Sequence, residues 1–466
     1  MRAPIATGLV LLAVAIGSHT LPAQAPPLAP DEHFKYASVG IEDEEGIPIW
    51  IWRVMPAVCA DRLPPGAKGY DGFGVLSEPG RDLPIGFAKK SGFGGDRVAI
   101  NCAFCHVTAV RTGPDAPRRL VLGGPSNLIA PQAYARFLEG CATSPAFTAD
   151  RVLAEIERAG GRLSWYEKLV HRLLLVGAVR RGLRDRQQTN AWMTPKPAWG
   201  PGRIDPFNGA KFVMLELPVD ETIGNSDMMP IWNMRARSGA ALHWDGLLRS
   251  SVREAALSSA LGDGATPSSI DLDSLARVEQ WMMETVPPAW PFSIDQTLAG
   301  QGRAIYEARC AGCHTAGRER TGSVIPLAEL GTDRHRLDMW TPEAVEAYGA
   351  FADDYPWDLK GFQKTDGYVA VPLDGLWLRA PYLHNGSVPY LDALFEPVER
   401  RPAVFYRGLD LYDPARIGFV AEGAEAERTG FRYDVGVPGN GNAGHTYGVD
   451  LPADQKRALL EFLKTQ

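Results

Sequence analysis

The sequence predicts a mainly α fold: two small helical domains with long loops, the N-terminal one enlarged. Three observations predict it. A five-residue pattern, C-x-x-C-H, occurs twice, at Cys102-Ala103-Phe104-Cys105-His106 and at Cys310-Ala311-Gly312-Cys313-His314. Apolar residues recur at helical spacing in the segments after the first pattern and around the second. Between the patterns stands Thr285-Val286-Pro287-Pro288-Ala289-Trp290-Pro291, where a double proline breaks helix and sheet alike. A chain of 466 residues also exceeds one typical single-core domain. Hydrophobic residues at 45% and charged residues at 22% describe an ordinary globular protein. The formal charge of −7, with no basic block of the kind nucleic acid requires, excludes a nucleic-acid partner.

Taken in order, residues 1–25 read as an export signal. Arg2 precedes an apolar run, Ile5 to Ile16, too short to span a bilayer comfortably, and Ala23-Gln24-Ala25 resembles a cleavage site. This predicts a periplasmic or secreted protein with no stable membrane span once the signal is removed. The remainder divides into 26–286 and 287–466, one five-residue pattern in each.

The spacing of that pattern has a chemical reason. Two thiols three positions apart on one helical turn can each add to a vinyl group on one haem edge. The imidazole that follows then reaches the iron as proximal ligand. Cys102, Cys105 and His106 would hold one covalently bound c-type haem, and Cys310, Cys313 and His314 a second. A thiol–disulfide switch does not call for His after both pairs, and paired zinc-binding cysteines normally sit closer in sequence. Cys59 and Cys141 remain, either disulfide-bonded or as two buried thiols.

In the N-terminal domain, Thr148 to Ala159 reads as a helix with Val152, Leu153 and Ile156 on one face. Trp165 to Arg184 reads as a second, with Leu169, Val170, Leu173, Leu174 and Val176 apolar. Its stripe is expected to pack into the core, with the Arg-rich end answering the helix dipole; a membrane surface or an apolar substrate is the other reading. In the C-terminal domain, Asp295 to Ala308 predicts a helix running into Cys310. A final helix is predicted with Asp450 as N-cap and Leu459, Leu460 and Leu463 on one face. This is the layout of a small cytochrome c domain, in which these two helices touch.

Two further stretches carry a resemblance. Pro230-Ile231-Trp232-Asn233 followed by Leu242-His243-Trp244-Asp245-Gly246 is similar to elements of the N-terminal domain of di-haem cytochrome c peroxidases. Arg379-Ala380-Pro381-Tyr382-Leu383-His384-Asn385-Gly386-Ser387 resembles a motif of their C-terminal domain. Within that superfamily the sequence is most similar to the rubber oxygenase branch, through Pro48 to Arg53, Leu83 to Phe87 and Asn442 to His445. The resemblance implies one electron-transfer haem with two protein ligands, and one haem open to dioxygen or peroxide. It also allows a calcium ion between the domains, for which the sequence names no ligands.

The histidines narrow the assignment. The position fourteen residues after His384-equivalent peroxidase histidines is Val398 here, so the distal Met of peroxidases is absent. His445, in a glycine-rich loop and at the distal position implied by the rubber oxygenases, is assigned opposite His314; His384 is the alternative. No histidine precedes Pro230 in the 219–229 stretch, where only Met228 and Met229 offer a weak ligand or an apolar lining. The His106 site is therefore expected to be open and reactive. His243 is its candidate acid–base residue, and Trp232 and Trp244 are candidate bridges between the haems. The sequence thus predicts a di-haem oxidoreductase acting on a small apolar substrate or peroxide, with a periplasmic electron donor. A non-catalytic electron carrier is the alternative.

Overall fold

The computed structural model describes residues 28–466, apart from 250, 352, 354–356 and 358. The predicted export segment lies outside the described residues. Helix makes up 43% of the structure and strand 12%, in several small sheets. The fold is mixed α/β, which corrects the expectation of a mainly α protein. The strands missed by helical periodicity include short hairpins that flank the first C-x-x-C-H turn. Phe87–Gly92 pairs antiparallel with Gly95–Ile100, which runs into Cys102, and Ile47–Pro48 adds to its other side. Gly94 and Gly95 close this hairpin with φ of 82° and 116°, a region open to glycine. Directly after His106, Val107–Val110 pairs with Arg119–Leu122. All four residues of the first strand are buried, and two are β-branched valines.

In the C-terminal half, helix Gln296–Arg309 is capped by the Asp295 side chain, which accepts from Leu298 N. It crosses the last helix, Ala453–Leu463, at Gly302. A Cβ there would stand 1.9 Å from Ala458 O, so only glycine allows the approach. Tyr306 and Phe462 fill the crossing, with ring centroids 4.9 Å apart. The predicted contact between these helices is present. The predicted cap of the last helix is not: Pro452 occupies the N-cap position, and Asp450 pairs with Arg309 at 3.0 Å.

Helices Ala149–Arg158 and Trp165–Val170, the latter continued by a π turn into Val176–Thr189, occupy the predicted segments. Val152, Leu153 and Ile156 are buried as expected. The stripe of the second helix is not: Val170, Leu175 and Val176 are buried, but Leu169, Leu173 and Leu174 are exposed. The π turn at His171–Leu175 shifts the phase of the helix by part of a turn, so a stripe read at constant period straddles two faces.

Cys59 and Cys141 form a disulfide, with Cα atoms 5.6 Å apart, joining the end of helix Ile49–Val58 to helix Pro131–Thr143. Residues 285–291 take no regular structure. Contacts nevertheless run across this stretch. Met339, Trp340 and Phe362 lie in one buried cluster with Phe207, Leu248 and Leu257 from the first half. Arg336 and Asp245 pair at 3.2 Å, both side chains 2% exposed, and Arg407 pairs with Asp227 at 2.6 Å.

Candidate haem sites

At the second motif, Cys310 ends helix Gln296–Arg309 and Ala311–His314 forms one further turn. This directs Cys310 and Cys313 to one side, both free of disulfide and half-buried. His314 Nδ1 lies 2.8 Å from Val371 O. A ring nitrogen so placed donates its proton, which fixes the tautomer and leaves Nε2 with its lone pair. The His445 ring stands 6.1 Å from the His314 ring, centroid to centroid. Two imidazoles ligating one metal from opposite sides, with bonds of about 2 Å and half-rings of roughly 1 Å, stand about 6 Å apart. Burial, and then the neighbouring His314, hold His445 down at about 4, and burial also lowers His314. Both are neutral at ordinary pH, the form that binds iron.

The loop carrying His445 is held by residues distant in sequence. Its left-handed backbone, φ 46°, follows Gly444, whose absent Cβ would meet Leu330 O at 2.4 Å. His445 N donates to Leu330 O at 2.9 Å. Arg401 donates to the carbonyls of Asn442 and Gly444 at 2.6 and 2.8 Å. Asn385 Nδ2 donates to Gly439 O and Gly441 O at 3.2 and 2.9 Å. Asn385 and Arg401 are site residues that sequence reasoning missed. The first lay in plain view beside His384, in the motif singled out for its resemblance. His384 itself stacks on Tyr368, centroids 4.1 Å apart and 20° from parallel, and is 4% exposed. Its Nε2 is buried and has no hydrogen-bond partner.

Burial, then the charges of Arg336 and Arg203, hold His384 down at about 3. The folded protein keeps it neutral, whereas the unfolded chain takes up a proton through about pH 6.5. Its contribution is therefore fully present above pH 6.5 and is lost as pH falls toward 3. A His384→Phe variant is expected to unfold at lower pH than the parent in an acid titration followed by circular dichroism. An unchanged midpoint would show that His384 does not govern acid unfolding.

At the first motif, a tight turn Cys102–Phe104 replaces the helix, capped by Asn101, whose side chain accepts from Ala103 N. His106 Nδ1 lies 2.9 Å from Met229 O, the counterpart of the His314–Val371 bond. Burial holds His106 at about 4 and pushes the Cys102 thiol up to about 12 and Cys105 well above its usual value. Thiols kept protonated are poor at disulfide exchange and at thiolate–metal bonding. The Cys310 thiol, raised by burial to about 11, behaves alike.

His243 is the histidine electrostatically coupled to His106, and its ring meets Phe207 edge-on at 5.1 Å. His243 has φ 64°, and its buried Nε2 has no hydrogen-bond partner. Burial, then the charges of Arg336 and His106, hold it down at about 3. Met228 packs in the buried core with Phe73 and Ile129, and its neighbour Met229 supplies the carbonyl to His106.

Trp232 is fully buried between the two sites. Its ring lies 2.9 Å from the position a Cβ on Gly124 would take and 2.6 Å from that on Gly375. Gly124 adjoins Gly123, which donates to His106 O, and Gly375 follows the Val371 that receives His314. Trp232 Nε1 donates to Asp374 O at 3.2 Å, and Trp244 Nε1 to Asp227 O at 2.7 Å. A cleft of about 1180 Å³ lies between 61–76 and 429–431, with no residue of either motif in its lining. Among the described residues no group of three or more His, Cys, Asp or Glu is placed to hold a metal ion, so the structure identifies no calcium ligands.

The family model described as RoxA-like, cytochrome c-like matches residues 367–406. That stretch contains Val371, the 379–389 motif with Asn385, and Arg401, the residues that build the surroundings of His314 and His445. Uncharacterized protein y4iM of Sinorhizobium fredii (strain NBRC 101917 / NGR234) is 29% identical over 297 residues, 54% of this chain and 66% of that protein. Uncharacterized protein y4iJ of the same strain is 31% identical over 247 residues, 38% of this chain and 41% of that protein. The matched regions thus span 66% and 41% of these two relatives' lengths. A c-type cytochrome, binding haem c, is the class to which the matched segment points. Its relation is to the RoxA-like cytochromes, through the segment that surrounds the second motif.

Proposed function

We propose that this chain is a periplasmic di-haem oxidoreductase with unequal sites: an electron-transfer centre at His314 and His445, and a reactive centre at His106. One observation carries the reading, the asymmetry of the two motifs. His314 has an imidazole 6.1 Å across from it, whereas among the described residues the histidine electrostatically coupled to His106, His243, sets its ring edge-on to Phe207 instead. Haem bound at the His106 site would supply an iron able to take dioxygen or peroxide; the protein decides which outcome follows.

The residues around His106 have separable roles. Met229 O holds the imidazole in one orientation. Phe207, Leu242 and Met234, all buried in one cluster, keep water away and favour an apolar substrate. His243 Nε2, buried and unbonded, is the acid–base group available to move a proton toward a bound oxygen. Trp232, held at both ends by backbone, is the aromatic bridge proposed between the centres. Oxygenase-like attack on an apolar alkene is the favoured chemistry and peroxide reduction the second, with electrons from a periplasmic donor. The units 26–286 and 287–466 each hold one haem in this proposal.

The test is carbon monoxide added to the dithionite-reduced protein. The expected spectrum changes for one haem in two, the other remaining low-spin. Carbon monoxide binding at neither haem would overturn the reactive assignment and leave an electron carrier.

A further inference from the structure

The helix Trp165–Val170 and its continuation to Thr189 carry a stripe that stays exposed among the described residues. Trp165 is 79% exposed, Leu173 65%, Tyr166 57% and Leu169 44%. The hairpin tip reaches the same helix, because a Cβ on Gly94 would stand 2.8 Å from Leu175, and the adjoining Phe93 is 69% exposed. Along the helix, on either side of the π turn, Trp165, Leu169, Leu173, Arg181 and Arg184 are exposed in turn. The series begins aromatic, continues aliphatic and ends cationic.

Charge is concentrated here against the grain of the molecule. Residues 162–186 hold seven Lys or Arg and two acids, in a chain of net charge −7. Lys168 pairs with Glu157, and Arg172 with Asp150 at 2.6 Å. Among the described residues Arg162, Arg181 and Arg184 make no ion pair. Exposed Trp and Tyr, exposed leucines and free guanidinium groups on one helix are what an interfacial helix presents to lipid.

We infer that this face docks on an anionic phospholipid bilayer, with Trp165, Leu169 and Leu173 in the headgroup–acyl boundary and Arg181 and Arg184 on headgroup phosphates. A second copy fits worse. Helices paired in parallel would set Arg181 and Arg184 against themselves, and antiparallel pairing would set them on the leucines. An uncharged hydrocarbon surface would leave the guanidinium groups without counter-charge. The attachment is peripheral, since no helix among the described residues is long and apolar enough to cross a membrane.

The experiment is flotation of the holoprotein with extruded vesicles, phosphatidylcholine alone or mixed with phosphatidylglycerol. The protein should float with the anionic vesicles and lose most of this in about 0.5 M salt. Leu169→Ser/Leu173→Ser and Arg181→Ser/Arg184→Ser should each weaken partitioning on the order of tenfold or more. The substituted side chains are exposed, and an unchanged visible haem spectrum checks folding. Absence of the parent from anionic vesicle fractions, or equal flotation of parent and variants, overturns the inference. So does a dimer in light scattering that the leucine variant dissociates while vesicles bind neither form.

Discussion

Replacing His445 with glycine is expected, on the proposed di-haem reading, to leave the His314 haem as open as the His106 one. The backbone at this position is left-handed, φ 46°, which glycine adopts without strain, so the loop should keep its course. Arg401 and Asn385 hold neighbouring carbonyls and are untouched by the change. The reduced variant should bind carbon monoxide at two haems rather than one. The oxidised variant should lose the low-spin bis-imidazole signal in its paramagnetic resonance spectrum. Retention of that signal would mean that another group, such as His384, ligates the iron, contrary to its stacking on Tyr368.

Reduction of the Cys59–Cys141 bond is expected to cost about 4 kcal/mol of stability, since the bridge closes a long loop in the unfolded chain. The sequence separation is 82 residues and both cysteines are fully buried. Their surroundings, Met55, Val58, Phe137 and Leu138, are apolar, and the acceptor facing a Cys59→Ser hydroxyl is the Cys141 carbonyl, 3.7 Å from the Cys59 sulfur. Urea unfolding of the holoprotein, with and without dithiothreitol, should show the midpoint falling for the parent and staying constant for the variant. A parent midpoint indifferent to reductant would show that the bridge adds no stability.

Much of the haem chemistry was legible because it is local: C-x-x-C-H acts within five residues, and its meaning survives any fold. The packing of the last helix on Gln296–Arg309 was legible too, since helical periodicity marks both partners. Other features depend on residues far apart. Asn385 reaches the His445 loop across 54 residues, and no spacing rule signals such a bond. The hairpins beside His106 escaped because a four-residue strand leaves little periodicity to read. The exposed leucines were misjudged because one π turn changes which face they occupy. Asp450 resembled a cap in sequence, but Arg309 draws its carboxylate elsewhere.

The burial of Met339, Trp340 and Phe362 among residues of the first half has a consequence for how the holoprotein is made. A chain emerging from its N-terminus presents Cys102 and Cys105 more than two hundred residues before those three side chains arrive. Until then the first core lacks one wall, and, on the proposed reading, its thiols stay within reach of an incoming haem. The delay is written into chain order, so a circular permutant starting near 287 would shorten the period in which the first haem can be installed.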